Sequence, residues 1–516
     1  MNPAHTFNSS ARQIFVKGFS SSVGAQILAA CVSVISIPLG IGYFGAEVYG
    51  VWLVIFSLSA YLNSSQFGIG MATTTLIAKE KSGSEQQKIL SISFTFLNLI
   101  SLVFVPIIIL FGREKQNWVL IWGGVSPSLQ ELAISCSFFM AILFFLKLPT
   151  VVFSSTLIGL QKTHWERVYT IVLPSLFGFI ALLVTIWAKG DLLLLTILTG
   201  AANLIVGIIG GCHVVITHKY LRPSWALHAA NWLLVKEVFH SGRRFFVLSF
   251  SALVVWNTDN LVINYFLGPA YVSAYAITFK LFTLATVLLF TVNSILWPMY
   301  GRAMSENNWA WVKRIYNDTT AILALLGGGI CIGGVLFAHD IIKLWVGPSG
   351  YGGVLVVIAL GLYSYLASIN NNHATLLSGM NATKGMVWIG ALEAIANLGL
   401  SIILIQYFGI GGVALGTFLA ALVTISWLLP YAVSQSTNSR VSMHWKQIGK
   451  HALFVVVPLV TVASILNGHF SSMWLNIIFK TLIIICYLVF SLRMMPSSVI
   501  KQIKGVFTAT LLKRPS

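Results

Sequence analysis

Lys280 is an ammonium about ten residues into a largely apolar segment, 271–300. If that segment crosses a membrane, the charge costs about 2.5–3.5 kcal/mol at mid-bilayer, so it asks for a compensating role. At 100° per residue, Ser273, Lys280, Thr283, Thr291 and Ser294 fall within about 80° of one another on a helix. An arc of hydroxyls around one lysine suits a wet cavity, where a compact point charge could hold an anionic head group. The alternative is a buried pair with Asp259. The preceding apolar segment, 244–267, carries Ser249, Asn257, Asn260 and Asn264 on one arc, with Asp259 some 80° or more away from it. Asp259 therefore either pairs across helices or titrates in ion coupling.

Other polar groups sit in similar surroundings. Ser22, Gln26, Ser33 and Ser36 form a stripe on the first apolar segment. Lys147 stands two residues before Pro149, where a proline frees a carbonyl and permits a bend; cavity charge and interhelical partner both fit it. Lys480, about seven residues into the last segment, is able to snorkel to the surface. Asn370, Asn371, Asn372 and His373 place four polar side chains in one turn, which lipid cannot satisfy. Hydrogen-bonded structure is the expected role for that histidine, with proton carriage as the alternative. Glu393 has no obvious partner, and a polar helix contact is its expected role. Asn63-Ser64-Ser65-Gln66-Phe67-Gly68-Ile69-Gly70 interrupts another apolar segment, as either a broken helix lining a transport site or a packing kink. No GxxxxGK[ST], HExxH, DxD or G-x-S-x-G occurs, so neither direct ATP hydrolysis, a metal nor a cofactor is expected.

The elements that must position these residues follow from composition. The 516 residues are 57% hydrophobic and only 9% charged, with a mean hydropathy of +0.87. An ordinary soluble domain carries about 25% charge, so soluble enzymes, secreted disulfide scaffolds and disordered chains are excluded. The apolar stretches are long and lack two-residue alternation, which selects helices over a β-barrel. The five cysteines are far apart and read as small buried hydrophobes. Residues 1–18 lack the signs of a removable signal peptide.

At about 20 residues per crossing, spans are expected at 19–42, 47–78, 90–112, 130–158, 167–188, 192–216, 244–267, 271–300, 317–342, 353–379, 385–407, 410–434, 451–468 and 473–493. With both termini cytoplasmic, the outer side collects Arg113, Lys115, Lys189 and Lys343. Lys147, Lys280 and Lys480 lie within spans, and the other 24 of the 31 Lys and Arg fall on the cytoplasmic side. That asymmetry supports fourteen spans in this orientation. It also accounts for the net charge of +18 without a nucleic-acid partner. The expected organisation is a first lobe at 1–217, a hinge connection at 218–243, a second lobe at 244–435, and two further spans with a basic tail at 436–516.

An internal repeat supports the two lobes. Gly159, at the end of the fourth span, and Gly379, at the end of the tenth, are 220 residues apart. Phe44-Gly45, followed by Tyr49, and Leu267-Gly268, followed by Tyr275, are 223 apart. Two landmarks at nearly one offset suggest six spans duplicated in one orientation, with two added.

The run Phe44-Gly45-Ala46-Glu47-Val48-Tyr49-Gly50-Val51-Trp52, with Gln66-Phe67-Gly68-Ile69-Gly70, resembles the start of polysaccharide and O-antigen flippases. Asp259-Asn260-Leu261-Val262-Ile263-Asn264-Tyr265-Phe266-Leu267-Gly268, then Ala274-Tyr275 and Lys280-Leu281, is similar to their seventh and eighth spans. The likeness covers about residues 15–435 and points to the multidrug/oligosaccharidyl-lipid/polysaccharide exporter superfamily. It implies a V-shaped pair of six-helix lobes and alternating access. It also implies an undecaprenyl-diphosphate-linked repeat unit as cargo, with its isoprenoid tail in membrane lipid. Lys280 would then face the diphosphate, and Asp259 would be the coupling residue for a proton or sodium gradient. The substrate cavity would draw on Lys280, Lys147, Gln26, Asn257, Asn260, Asn264 and Ser273. The related lipid II flippases have arginine-rich cavities, and no arginine lies deep in a span here. A monomeric transport unit in the inner membrane is expected, with contacts to a polymerase or glycosyltransferases. The rivals are a cation-coupled multidrug exporter of the same superfamily and a membrane-embedded glycosyltransferase or polymerase. Drug exporters typically have twelve spans, and such enzymes usually need a large external loop.

Overall fold

A computed structural model describes residues 9–112, 114–123, 125–225, 232–293, 296–380, 382–443, 445–466, 473–494 and 500. Among these, every regular element is helical. Lipid offers no hydrogen bonds to a backbone, and a helix satisfies its own N–H and C=O groups. The chain is a multi-pass membrane protein. Large apolar side chains such as Leu102, Ile109, Leu110, Ile478 and Leu482 stand exposed on long helices, a surface that suits acyl chains and not water.

Twelve helical stretches among the described residues are long and apolar enough to cross a bilayer. The first, Ser20–Gln66, has 47 residues, about twice the length needed. It lies mostly within α1 (Ser9–Leu62), which turns at Gly45 (φ 78°) and so contains the first expected span and the start of the second. The seventh expected span lies in α8 (Trp232–Leu267), a 36-residue helix that is not among the twelve. The remaining expected spans each match one stretch. The architecture is consistent with fourteen crossings.

The broken second span is real. A 3-10 turn at Asn63–Gln66 and left-handed Phe67 (φ 49°) and Gly68 (φ 73°) separate α1 from α2 (Ile69–Lys79). A Cβ on Gly68 would run into the Gly242 carbonyl oxygen. Gly68→Ala should therefore lower stability by about 2 kcal/mol, since both φ and the close approach oppose a side chain. Gly45→Ala, where a Cβ meets open space, should cost only about 1 kcal/mol. Thermal unfolding of the two variants in detergent compares them. Equal midpoints would refute the backbone contact.

Two compact units emerge from the packing, 1–273 and 274–516. The first contains α3 (Gly83–Phe111), α4 (Pro127–Lys147), α5 (Val151–Gly159), α6 (Leu173–Trp187) and α7 (Leu192–Thr217). Its core joins Ile69, Ile77, Leu90, Leu97, Leu148 and Val152. Hydroxyls link the helices: Thr73 donates to Ser93 Oγ (2.7 Å) and Ser101 to the Phe145 carbonyl (2.6 Å). The bend expected at Pro149 is a 3-10 turn, Leu148–Thr150, between α4 and α5. At the basic end of α7, burial and then the nearby Lys162 hold the His218 imidazole below its ordinary pKa. The positive charge of that face therefore rests on Lys and Arg.

The second unit begins within α9 (Pro269–Asn293) and continues through α10 (Leu296–Ser305), α11 (Trp309–Trp345), α12 (Val354–Gly379), α13 (Thr383–Phe408), α14 (Ile410–Val423) and α15 (Ile425–Ser436). The last two spans end in α16 (Val457–Leu466) and α17 (Met473–Met494). Polar pins dock them. His451 bonds Tyr365 Oη (3.2 Å) and Ser491 Oγ (2.9 Å), and Tyr487 donates to the Leu325 carbonyl.

The repeat landmarks have matching geometry. Gly45 and Gly268 (φ 92°) are both left-handed, each joining successive spans. Gly159 ends α5 where a Cβ would lie 3.0 Å from the Thr74 carbonyl of α2. Gly379 ends α12 where a Cβ would lie 2.8 Å from the Trp297 carbonyl of α10. In each unit the fourth span of the repeat thus closes, through glycine, on the second.

Candidate functional site

Lys280 lies eleven residues into α9, roughly 17 Å along the helix axis and near the middle of a crossing. Its side chain is partly buried, and it forms no ion pair with a carboxylate of its own unit among the described residues. Thr283 and Thr291 turn their hydroxyl protons onto helix carbonyls, Lys280 O (3.0 Å) and Val287 O (2.8 Å). A hydroxyl that donates its proton keeps acceptor lone pairs, so Thr283 gives the arc around Lys280 an acceptor for water beside a charge for an anion. Ser294 lies outside the described residues.

The other expected site residues divide by partner. Asn260 Nδ2 donates to Ser57 Oγ (2.9 Å), and Thr258, next to Asp259, hydrogen-bonds the Tyr61 hydroxyl. Asn264 Nδ2 donates to the Ile121 carbonyl (2.6 Å), while its Oδ1 is buried with no hydrogen-bond partner among the described residues. Ser273 donates to the Ala46 carbonyl (2.5 Å). Three of the expected residues therefore tie α8 and the start of α9 to α1 and to the connection after α3. Asp259 is buried beside Tyr61. Among the described residues, Asn257 hydrogen-bonds only within its own helix, at the Leu253 carbonyl (3.4 Å). Lys147 Nζ donates to Asn203 Oδ1 (3.4 Å), an interhelical contact between α4 and α7. Gln26 is half-buried on the face of α1 that carries Ser22, whose hydroxyl accepts from Arg167 Nε (3.2 Å).

The turn Asn370–His373 is the centre of a buried network. Asn372 Nδ2 donates to the Tyr316 carbonyl (3.0 Å) and Thr320 Oγ1 (2.9 Å), and its Oδ1 accepts from Tyr300 (3.2 Å). Asn371 Oδ1 accepts from Asn293 (2.7 Å), Asn370 donates to Ser426 (3.1 Å), and His373 Nδ1 meets the Tyr316 hydroxyl (3.0 Å). Lys480 is ion-paired with Asp340 at 2.6 Å and stacks over Phe337. Sequence reasoning did not find that pair, since Asp340 is 140 residues away. The signal was a lysine and an aspartate each near one end of its apolar segment.

A sequence model described as polysaccharide biosynthesis protein matches residues 15–304, more than half of the chain. The chain belongs to this family. The resemblance of the runs at 44–52 and 259–268 to polysaccharide and O-antigen flippases is borne out. A second model, MatE, matches residues 246–403. A protein named as an O-antigen transporter in Salmonella typhimurium is 22% identical over 413 residues, covering 80% of this chain and 94% of its own. Among solved structures, the lipid II flippase MurJ in an inward closed conformation aligns with a TM-score of 0.68. It is 17% identical and covers 92% of this chain and 97% of its own. An inward-facing multidrug resistance MATE transporter aligns with a TM-score of 0.64 at 15% identity, covering 80% and 95%. At these identities the two structures establish the shared fold alone.

Proposed function

We propose that this chain is a flippase that moves undecaprenyl-diphosphate-linked oligosaccharide repeat units, of O-antigen or another surface polysaccharide, across the inner membrane by alternating access. The observation that carries this reading is the polysaccharide biosynthesis family match over 15–304, joined to the near full-length likeness to the Salmonella O-antigen transporter. Lys280 supports it chemically. An ammonium deep in a span without a carboxylate partner in its unit suits a diphosphate passing through. Asp259 takes the part of the ion-coupling residue. Lys147, Gln26 and Asn257 supply further polar surface to the sugars, and Asn260, Asn264 and Ser273 hold the seventh and eighth spans in register. The connection 218–243 separates six-span parts at 1–217 and 244–435, with 436–516 added. Both termini are cytoplasmic, because that orientation puts the basic loops inside. The transport unit is a monomer with no catalytic role of its own, and those loops meet the polymerase or glycosyltransferases.

The MatE match at 246–403 favours a second reading, a cation-coupled multidrug exporter. Lys280 opposes it, since a cationic drug would meet like charge. Reconstitution separates the two. Purified protein in liposomes carrying a fluorescent undecaprenyl-diphosphate oligosaccharide should speed the access of a membrane-impermeant quencher to the inner-leaflet label by at least tenfold. No acceleration, alongside gradient-driven efflux of a cationic dye, would replace the flippase with the exporter.

A further inference from the structure

The first turns of α8 carry a stripe that the site above does not use. Trp232, Lys236 and His240 recur every four residues, with Phe239 beside them, so one helical face mixes aromatic and basic groups. Val238, buried in the core of the first unit with Val235, anchors the segment from behind. Trp232 is 67% exposed, and Lys236, Phe239 and His240 are exposed with it. Phe96 of α3 meets the Phe239 ring edge-on at 4.5 Å. Together with Val235 these residues line an open cavity of about 560 Å³.

The depth of this cavity follows from its neighbours. Gln87 donates to the Arg222 carbonyl (3.0 Å) and Ser91 Oγ accepts from the Ser224 N–H (3.1 Å), so the connection runs beside the first turns of α3. Phe96 lies eight residues beyond Lys88, about 12 Å further along the helix. The cavity therefore runs from head-group level into the hydrocarbon. Neither Lys236 nor His240 has a hydrogen bond or ion pair among the described residues, and Glu237 projects about 100° round the helix from Lys236. A cation and an imidazole on a lipid-exposed face call for an anion, and the rings beside them call for methylene chains.

We propose that this cavity holds an anionic glycerophospholipid of the surrounding leaflet. Its phosphate lies against Lys236 and His240, and its first acyl methylenes run along Phe96, Phe239 and Trp232. At about 30 Å³ per water the space equals roughly twenty waters. That admits a glycerophosphate and several methylenes.

Native mass spectrometry of the full chain, titrated with phosphatidylglycerol or phosphatidylcholine of identical acyl chains, tests the assignment. The first phosphatidylglycerol should bind about tenfold more tightly than phosphatidylcholine. Lys236→Gln with His240→Gln should abolish that preference, and Lys236→Arg should keep it. Both positions are exposed, and an unchanged unfolding temperature will show that each variant is folded. Equal binding of the two lipids, or an undiminished preference in the double variant, overturns the proposal. Stronger binding of undecaprenyl diphosphate than of phosphatidylglycerol, lost in the same variant, overturns it in favour of substrate loading. Because the readout is lipid retention, its failure leaves the flippase reading standing.

Discussion

Lys280→Glu should slow the flipping of a diphosphate-linked oligosaccharide by at least about 100-fold, and Lys280→Gln by about tenfold, with Lys280→Arg keeping most of the rate. Each factor of ten corresponds to 1.4 kcal/mol. The neutral variant loses the attraction between the ammonium and the diphosphate, and the acidic one adds repulsion on top of that loss. Stability should move the other way. Removing this charge orphans no carboxylate of the second unit among the described residues, so Lys280→Gln should unfold at the same temperature as the native chain or slightly above it. A lysine kept only for structure would show the reverse pattern, with lowered stability and unchanged transport. The quencher assay in liposomes and thermal unfolding in detergent, run on the same preparations, separate the two. Full-rate transport by Lys280→Gln would remove Lys280 from the substrate path.

Asn372→Leu should destabilise the second unit by about 2–3 kcal/mol. The side chain is fully buried and joins three helices, accepting from Tyr300 of α10 and donating to Tyr316 and Thr320 of α11. Leucine has a similar volume but no polar atoms, so the buried Tyr300 hydroxyl loses its acceptor while the cavity stays filled. Interhelical hydrogen bonds in membranes are individually modest, about 0.6 kcal/mol on average, so most of the effect comes from the stranded phenol and the loss of three contacts at once. Asn257→Leu is the control, since among the described residues Asn257 bonds only the Leu253 carbonyl of its own helix, at 3.4 Å. It should change stability by no more than about 0.5 kcal/mol. Equal unfolding temperatures for the two variants would mean that the Asn372 network holds nothing together.

Much of this was legible in the linear chain because the governing forces are local. A helix in lipid must satisfy its own backbone, so apolar length alone located the crossings. The breaks at Asn63–Gly70 and at Pro149 showed in the same way, since glycine and proline act on their own turn of backbone. The glycine landmarks at 45 and 268 anticipated two left-handed junctions.

Partnership was not legible. Asn260, Asn264 and Ser273 read as one polar surface on neighbouring spans, yet each is held by a segment 143 to 227 residues away. Lys480 read as a surface-seeking lysine and is held by Asp340. Which atom a polar side chain meets depends on the rotation of its helix about the axis and on the depth of the neighbouring helix. Helical periodicity carries only the first, and only relative to the same helix. The sequence by itself determined that the chain spans a membrane as helices, where it bends, and which residues are too polar for lipid. The tertiary structure decided which of those residues are bound to protein, as Asn372 is, and which keep unspent polar capacity, as Lys280 does, because that depends on the packing of helices distant in the chain.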